Sequence, residues 1–558
     1  MHLNVFLGIP TLGNFIFELS IFSMHSEGIP FRETGFFSRL IVDYLEELPD
    51  LKPFYGRFPA LEAFEGQMQE KGTSYDPEHR KVLLEVLEEQ YADLHISEAT
   101  REHLEKLGEA TTFTVVTGHQ LNLFTGPLYF IYKILSTIKL ARILKEHYPD
   151  HHIVPVYWMG TEDHDFEEVN HFNFRGKEIR WNRSAGGAVG RMDTEGLEAV
   201  FEKFSADLGP GNRADRLRQL FREAYLEHTS MADATRYLVN ELFGKLGLVI
   251  LDSDDARLKS LFAPHIENDL FEQLGYRKVS DSIDRLNALE GNYRIQVSPR
   301  ELNFFYLTEG FRSRLVEAEG HYGVLDSDLR FTADELRQEL RAHPERFSPN
   351  VTTRPLYQEA ILPNLCYIGG GGELAYWLEL RDYFEESGIP FPMLLLRNSA
   401  LLVSEKQKQK AEKLDLDLKA FFLDPEVLAE KKVREISEVD IDFSPQRTHL
   451  QAQFEALYDL AEKTDKSFLG AVRAQEVKQL NGLDRLEKRL LKAQKRKLKD
   501  VLDRVHMLQE ALFPEGGLQE RNRNFSEFYL SIGPDLPTDL LEDFQPLDQD
   551  FSIFTYPL

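Results

Sequence analysis

Apolar positions recur at two spacings along this chain, and the alternation between them predicts the fold. From Thr34 onward helical spacing comes first, in FSRLIVDYLEEL and in the stretch from Asp76 to Leu107. A short β-branched run, FTVVTG, then stops at Gly118. An apolar helix is predicted from about Gly126 to His147, and HHIVPVYWMG is a second strand, again ended by glycine. Strand, loop, helix and strand in that order make a βαβ unit, which requires a parallel sheet and a right-handed crossover. Between about 175 and 345 the pattern is mixed. Helical spacing in FEKFSADL and from RLRQLFREAYLEHTS to NELFGKLG gives way to a clean strand, LVILD, and to strand-like YRIQVS and LNFFYL. The last of these leads towards a charged segment near Arg312 and Arg314. The sheet pattern resumes near 348 with VTTRPLYQEAILPNLCYIGGGG, followed by one helix, ELAYWLELRDYFEESG, and the apolar run FPMLLL.

Beyond Val403 the pattern changes period. Leu450, Phe454, Leu457, Ala461, Thr464 and Phe468 alternate by four and three, and so, less regularly, do Leu483, Leu486, Leu490, Val501, Val505, Leu508 and Leu512. That is heptad spacing, so residues 404–515 are expected to form a helical coiled coil whose seam another helix covers. A hairpin turning near Asp465–Gly470 would supply one partner; Asn481-Gly482 is a competing turn. Residues 516–558 read as a structured tail that packs back on a core spanning 24–403. The opening MHLNVFLGIPTLGNFIFELSIFS is apolar, but it lacks a basic start and carries Pro10, Gly13 and Glu18. Met24, just ahead of the globular pattern, is therefore expected to be the true start, and residues 1–23 a mis-called extension.

Composition narrows the classes. With 558 residues, 42% hydrophobic and 11% aromatic, the chain can bury a large domain with insertions plus an appendage. Acidic residues outnumber basic ones, 93 to 65, for a formal charge of −28. Such a surface repels phosphate backbones and anionic lipid, which makes nucleic acid and membrane poor general partners and leaves anion binding to local basic pockets. No stretch is apolar enough to span a bilayer. The single cysteine, Cys366, rules out an intramolecular disulfide framework and fits a reducing cytoplasm. It lies in an apolar run and is read as a small buried hydrophobe rather than a nucleophile.

Three polar constellations could carry chemistry. The first runs Thr117-Gly118-His119-Gln120-Leu121-Asn122 and on to Thr125-Gly126-Pro127, at the carboxyl end of a predicted strand. Backbone N–H groups and a helix start favour an anion there, and His119 could stabilise charge on a phosphate or an activated carboxyl group. The same residues could merely turn the chain and cap the helix. The second, Gly160-Thr161-Glu162-Asp163-His164-Asp165 with Asn170 and His171 beyond, follows the next strand and should share the sheet edge with His119. Acids around one histidine suit a general base, an amine-binding site or a metal, and the same residues could instead be a polar loop capping a helix. The third joins Arg354 and Gln358 to Gly369, Gly370, Gly371 and Gly372, then Glu373, Tyr376 and Trp377. Free N–H groups of such a loop suit phosphate or carboxylate. Gly370 to Ala375 formally matches G-x-G-x-x-A, yet the next strand offers no acid for a ribose hydroxyl, so a nicotinamide site is not expected. The basic stretch from Lys488 to Lys499 is read as a solvated coiled-coil face.

Taken together, PFRETGFFSRLIVDYL, VVTGHQLNLFTGPLYFIYK, PVYWMGTEDHDFEEVNH, VTTRPLYQEAILPNLCYIGGGGELAYWLEL and the Lys-rich coiled coil with its FSEFY tail resemble the bacillithiol-biosynthesis cysteine-adding family. The resemblance runs in family order from residue 28 onward. It implies an α/β fold with a Rossmann-like parallel-sheet core, connecting segments inserted at roughly 175–345, a C-terminal coiled coil and homodimerisation through it. The implied activity is ligation of cysteine to glucosaminyl-malate in the cytoplasm. A free carboxylate does not acylate an amine unaided, and ATP, with Mg²⁺ as its companion ion, is the simplest activating co-substrate. On that reading His119 stabilises phosphate and Gln120, Asn122 and Lys133 help position it. Asp163, His164 or Asp165 binds or deprotonates the amine, and Arg354 with Gly369–Gly372 holds the malate end. No protein-held metal site is expected. The alternatives are a nucleotidyltransferase-like enzyme acting on another small carboxylic acid, and an inert dimeric scaffold.

Overall fold

The computed structural model describes residues 25–557 except 465, so the reading of residues 1–23 falls outside the described residues. Its centre is a five-stranded sheet of β1 (Thr112–His119), β2 (His152–Met159), β3 (Val249–Asp252), β4 (Asn364–Gly369) and β5 (Met393–Leu396). All pairings are parallel, in the order β3-β2-β1-β4-β5. Both faces are covered, which is why these strands read as nearly continuous apolar runs rather than alternating ones. Helix α1 (Tyr129–His147) makes the β1-to-β2 crossover, as the periodicity predicts. The strand order reverses between β1 and β4, and the crevice beyond their carboxyl ends is where an open α/β sheet binds its ligand.

LVILD is β3, the edge strand of this sheet, rather than part of an insertion. The connecting material is therefore split into two blocks, one largely helical between β2 and β3 and one between β3 and β4. A four-residue strand buried on three of four positions carries the same signal in either sheet. The second block holds an antiparallel sheet in which Phe304–Thr308 pairs with Phe311–Ala318 on one side and Phe347–Pro349 on the other. YRIQVS is irregular, because the carboxylate of Glu379 takes the N–H groups of Gln296 and Val297 that a strand partner would use. After β3 the chain reaches helix α2 (Arg354–Ile361), with a proline at its start, and then β4. ELAYWLELRDYFEESG divides into α3 (Gly371–Trp377) and a second short helix, Arg381–Glu386.

Beyond the core, α4 (Ser444–Ala461) and α5 (Lys466–Lys497) form an antiparallel hairpin, followed by α6 (Lys499–Leu512). Tyr458 bonds Glu476 and, further from the turn, Arg447 pairs with Asp484 and Glu487, which fixes the register. Phe454, Ala461 and Val472 close the seam. The turn falls between Ala461 and Lys466, and Asn481-Gly482 lies inside α5.

The segment after α6 returns to the core. Asp550–Tyr556 pairs with His25–Pro30 on one side and Ala400–Ser404 on the other. Asn524 donates to the carbonyls of Phe124 and Gly126 at 2.9 and 2.6 Å. That loop needs its glycine: Gly126 sits at φ +60°, and a β-carbon there would lie 2.7 Å from that of Asn122.

Candidate functional site

A cavity of about 830 Å³ opens at the carboxyl ends of β1, β2 and β4 and is roofed by the second connecting block. Its charge is opposite to that of the molecule. Among the described residues its walls carry Lys133, Arg300, Arg312, Arg314, Arg354, Arg397 and Arg521 against three carboxylates, Glu162, Asp163 and Glu373. An anion is therefore drawn into it despite the −28 overall.

The first predicted loop contributes from β1. The chain turns inward at His119, and Gly160 packs against it so closely that an added β-carbon would lie 3.0 Å from the His119 carbonyl. This contact brings the first two constellations together. The imidazole of His119 lies between the rings of Tyr129 and Phe130, and its Nε2 is buried without a partner among the described residues. Burial, reinforced by the Lys133 and Arg397 cations, lowers its pKa to about 3, so the ring is neutral near pH 7. It can form a hydrogen bond to an incoming group, but it does not carry a charge.

Lys133 is buried on α1. It donates to the Gly118 carbonyl at 2.8 Å and pairs with Glu373 at 2.6 Å. Burial lowers its pKa and Glu373 opposes the shift. Glu373 also accepts from the Gly370 N–H and the Tyr367 hydroxyl, each at 2.8 Å. Burial alone would raise this carboxyl, but Lys133 and the Gly370 N–H hold it at about 2. One anion thus ties the β1 loop to the glycine loop, leaving Gly370 and Gly372 on the cavity wall. Arg354 bonds Gln358 and the Tyr376 hydroxyl, at 3.1 and 3.2 Å, and presents the rest of its guanidinium to the cavity.

The second loop divides its labour. Burial works to raise the Asp163 carboxyl, but it accepts from Gln120 at 2.6 Å and from the N–H of His164 at 2.7 Å. With Arg312 nearby, the net shift is strongly downward. It is a fixed anion rather than a base. His164 accepts from Arg312 on Nδ1 at 2.8 Å, which leaves its proton on Nε2. Glu162 behaves differently. It forms a buried ion pair with Lys259, and burial raises its proton affinity. It is the wall carboxylate best disposed to take a proton.

Other predicted residues serve the frame. Asp165 is exposed outside the cavity, at the start of a short helix. Asn122, Thr125 and Gly126 shape the turn that Asn524 caps, and Asn170 accepts from Arg180. Gln358 is buried against Arg354 and Glu359. Gly369 ends β4, and Gly371 packs towards Ile41. Cys366 is buried, and its thiol is pushed well above its ordinary range by burial, which suits the role of a small hydrophobe. Sequence reading missed Arg300, Arg397, Arg521 and Tyr129, and saw Arg312 and Arg314 only as a charged stretch. They are scattered over segments far apart in sequence, and only the fold gathers them.

Residues 24–398 match the model for the bacillithiol biosynthesis BshC N-terminal Rossmann-like domain, and residues 400–556 match that for the BshC C-terminal coiled-coil domain. Curated relatives named "Putative cysteine ligase BshC" align over nearly the whole length. The protein of Christiangramia forsetii is 55% identical over 96% of this chain and 99% of its own. That of Flavobacterium johnsoniae is 51% identical over 95% and 100%. That of Cytophaga hutchinsonii is 36% identical over 92% and 95%.

Proposed function

This chain belongs to the bacillithiol biosynthesis BshC family, and on that premise we propose that it is a ligase joining the carboxyl of L-cysteine to the amine of glucosaminyl-malate. The observation that carries the proposal is the cationic cavity at the strand-order reversal of a strongly acidic molecule. Every reactant named is anionic there: a cysteine carboxylate, a malate and the phosphates of ATP.

Amide formation requires that the carboxylate first gain a leaving group. ATP supplies one, either as an adenylate with loss of pyrophosphate or as an acyl phosphate with loss of ADP. His119 and Arg312 are assigned to the phosphate oxygens, with Mg²⁺ arriving on the nucleotide itself. Arg354, with the glycine loop at Gly372 on the cavity wall, holds the malate carboxylates. Asp163, ionised throughout, attracts the ammonium form of the acceptor, and Glu162 takes the proton that must leave before the nitrogen attacks. Lys133 is assigned to the frame, because both its contacts are internal. Exposed apolar residues on the hairpin, Leu460, Val477 and Leu486, are the surface proposed to pair with a second copy.

The test is reconstitution with cysteine, glucosaminyl-malate, ATP and Mg²⁺, read by mass spectrometry with each component omitted in turn. A thiol product that requires all three organic substrates supports the proposal. Turnover of another small acid in place of cysteine would favour the nucleotidyltransferase-like alternative.

A further inference from the structure

The cavity lies in the N-terminal domain, yet one of its walls is set from the C-terminal one. Arg397 follows β5 and is 3% exposed. Its guanidinium is held on two edges. Nη1 donates to the Asn398 carbonyl and the Ser399 hydroxyl, both at 2.9 Å, and Nη2 donates to Glu520 at 2.6 Å. Glu520 is fully buried, and it too is fixed: one oxygen also accepts from Ser399 and the other from the Ala400 N–H at 3.0 Å. The third edge is different. Nε is buried and has no partner among the described residues. A β-carbon added at Gly370 would lie 3.8 Å from this Nε, so the free edge faces the glycine loop that lines the cavity. The Tyr129 ring, 5.2 Å from the guanidinium carbon, closes the other side.

An orphaned N–H on a buried cation is costly unless something completes it, and Gly370 and the cavity it lines lie on the Nε side. Glu520 belongs to the stretch matched by the coiled-coil domain and Arg397 to that matched by the Rossmann-like domain. The pair is thus a joint between the two, and the next residue, Arg521, reaches the same cavity.

We propose that Glu520 is a positioning residue: from the C-terminal domain it orients Arg397 so that its free Nε–H donates to an anionic oxygen of a ligand held at the Gly370 loop. That oxygen belongs either to a carboxylate of the acceptor or to a phosphate of the nucleotide. Which of these it is rests on the ligase reading; the positioning itself does not.

Two variants test it. Glu520→Gln removes the charge that fixes the guanidinium, while Arg397→Lys keeps a cation for Glu520 but has no Nε–H. Calorimetric titration with L-malate and with inorganic phosphate provides a readout independent of turnover. Wild type should bind at least one probe, and each variant should bind that probe about tenfold more weakly, the scale of a lost hydrogen bond to a charged group. In turnover, the KM for glucosaminyl-malate alone should rise if the oxygen is the acceptor's. The KM for ATP alone should rise if it is the nucleotide's. The KM for cysteine should not move. Equal probe affinity in folded variants, a uniform loss across all three substrates tracking a lowered Tm, or no binding of either probe by wild type would each overturn the proposal. Weakened probe binding in a protein that makes no amide would leave the positioning standing and overturn the ligase reading.

Discussion

Glu162 and Asp163 are neighbours in sequence with opposite electrostatics, and the difference is one of partners. Asp163 accepts from a side-chain amide and from backbone N–H groups, so its carboxyl stays ionised. Glu162 is buried against one lysine, and burial raises its proton affinity. Glu162→Gln is therefore expected to lower kcat about a hundredfold, the usual scale for losing a general base, with little change in KM. The rise of kcat with pH expected of wild type should also be lost. Steady-state kinetics across pH would show it, and an unchanged profile would remove Glu162 from the reaction. Outside the cavity wall, Glu379 has its carboxyl raised to about 7 by burial, against the two N–H groups it accepts from. A carboxyl whose pKa is higher folded than unfolded gives stability that is full below the unfolded value and is lost as pH rises through the folded one. Wild type should thus lose Tm relative to Glu379→Gln as pH climbs from about 4.5 to about 7, with the difference constant above that. A flat difference across the whole range would contradict the assignment. Neither distinction is visible in the letters: Glu-Asp-His-Asp announces chemistry, but only the fold shows that Asp165 points away while Glu162 is buried.

Elements were most legible where a period persisted. β1, α1 and β2 follow from an apolar run, a glycine stop and helical spacing, and the site's position follows from them, because strand ends on one edge must converge. Legibility failed for short pieces. LVILD has too few residues to reveal which sheet it joins, and YRIQVS alternates like a strand while Glu379 takes its N–H groups. The hairpin offered two turns, and the local cue, Asn-Gly, lost to the heptad continuity that carries α5 through Gly482. Open space surrounds that glycine, so Gly482→Ala should stabilise the protein by up to about 1 kcal/mol, the helix-propensity difference. Destabilisation in denaturant titration would mean that the chain turns there. Gly126→Ala should do the reverse, costing about 1–3 kcal/mol, since it combines a positive φ with a contact against Asn122 that must yield.

For the molecule as a whole, the two family domains are interlocked. Strand Asp550–Tyr556 bridges His25–Pro30 and Ala400–Ser404, Asn524 caps the β1 loop, and Glu520 meets Arg397 at the cavity. Sequence signalled a structured tail but not this reach, because each contact is a single polar residue far along the chain from its partner. Pairing of two copies through the exposed hairpin surface predicts that Leu460→Lys combined with Leu486→Lys shifts sedimentation from dimer to monomer; an unchanged profile would place any interface elsewhere. Coupling of an activated cysteine carboxyl to an amine in this cavity must move one carboxyl oxygen to the leaving group, and oxygen tracing reads that transfer. Cysteine labelled with ¹⁸O in its carboxyl would be turned over with ATP and glucosaminyl-malate, and the amide product, AMP and inorganic phosphate analysed by mass spectrometry. One labelled oxygen should appear in AMP or in phosphate for each amide formed, and amide formed with no label in either would rule out carboxyl activation by the nucleotide.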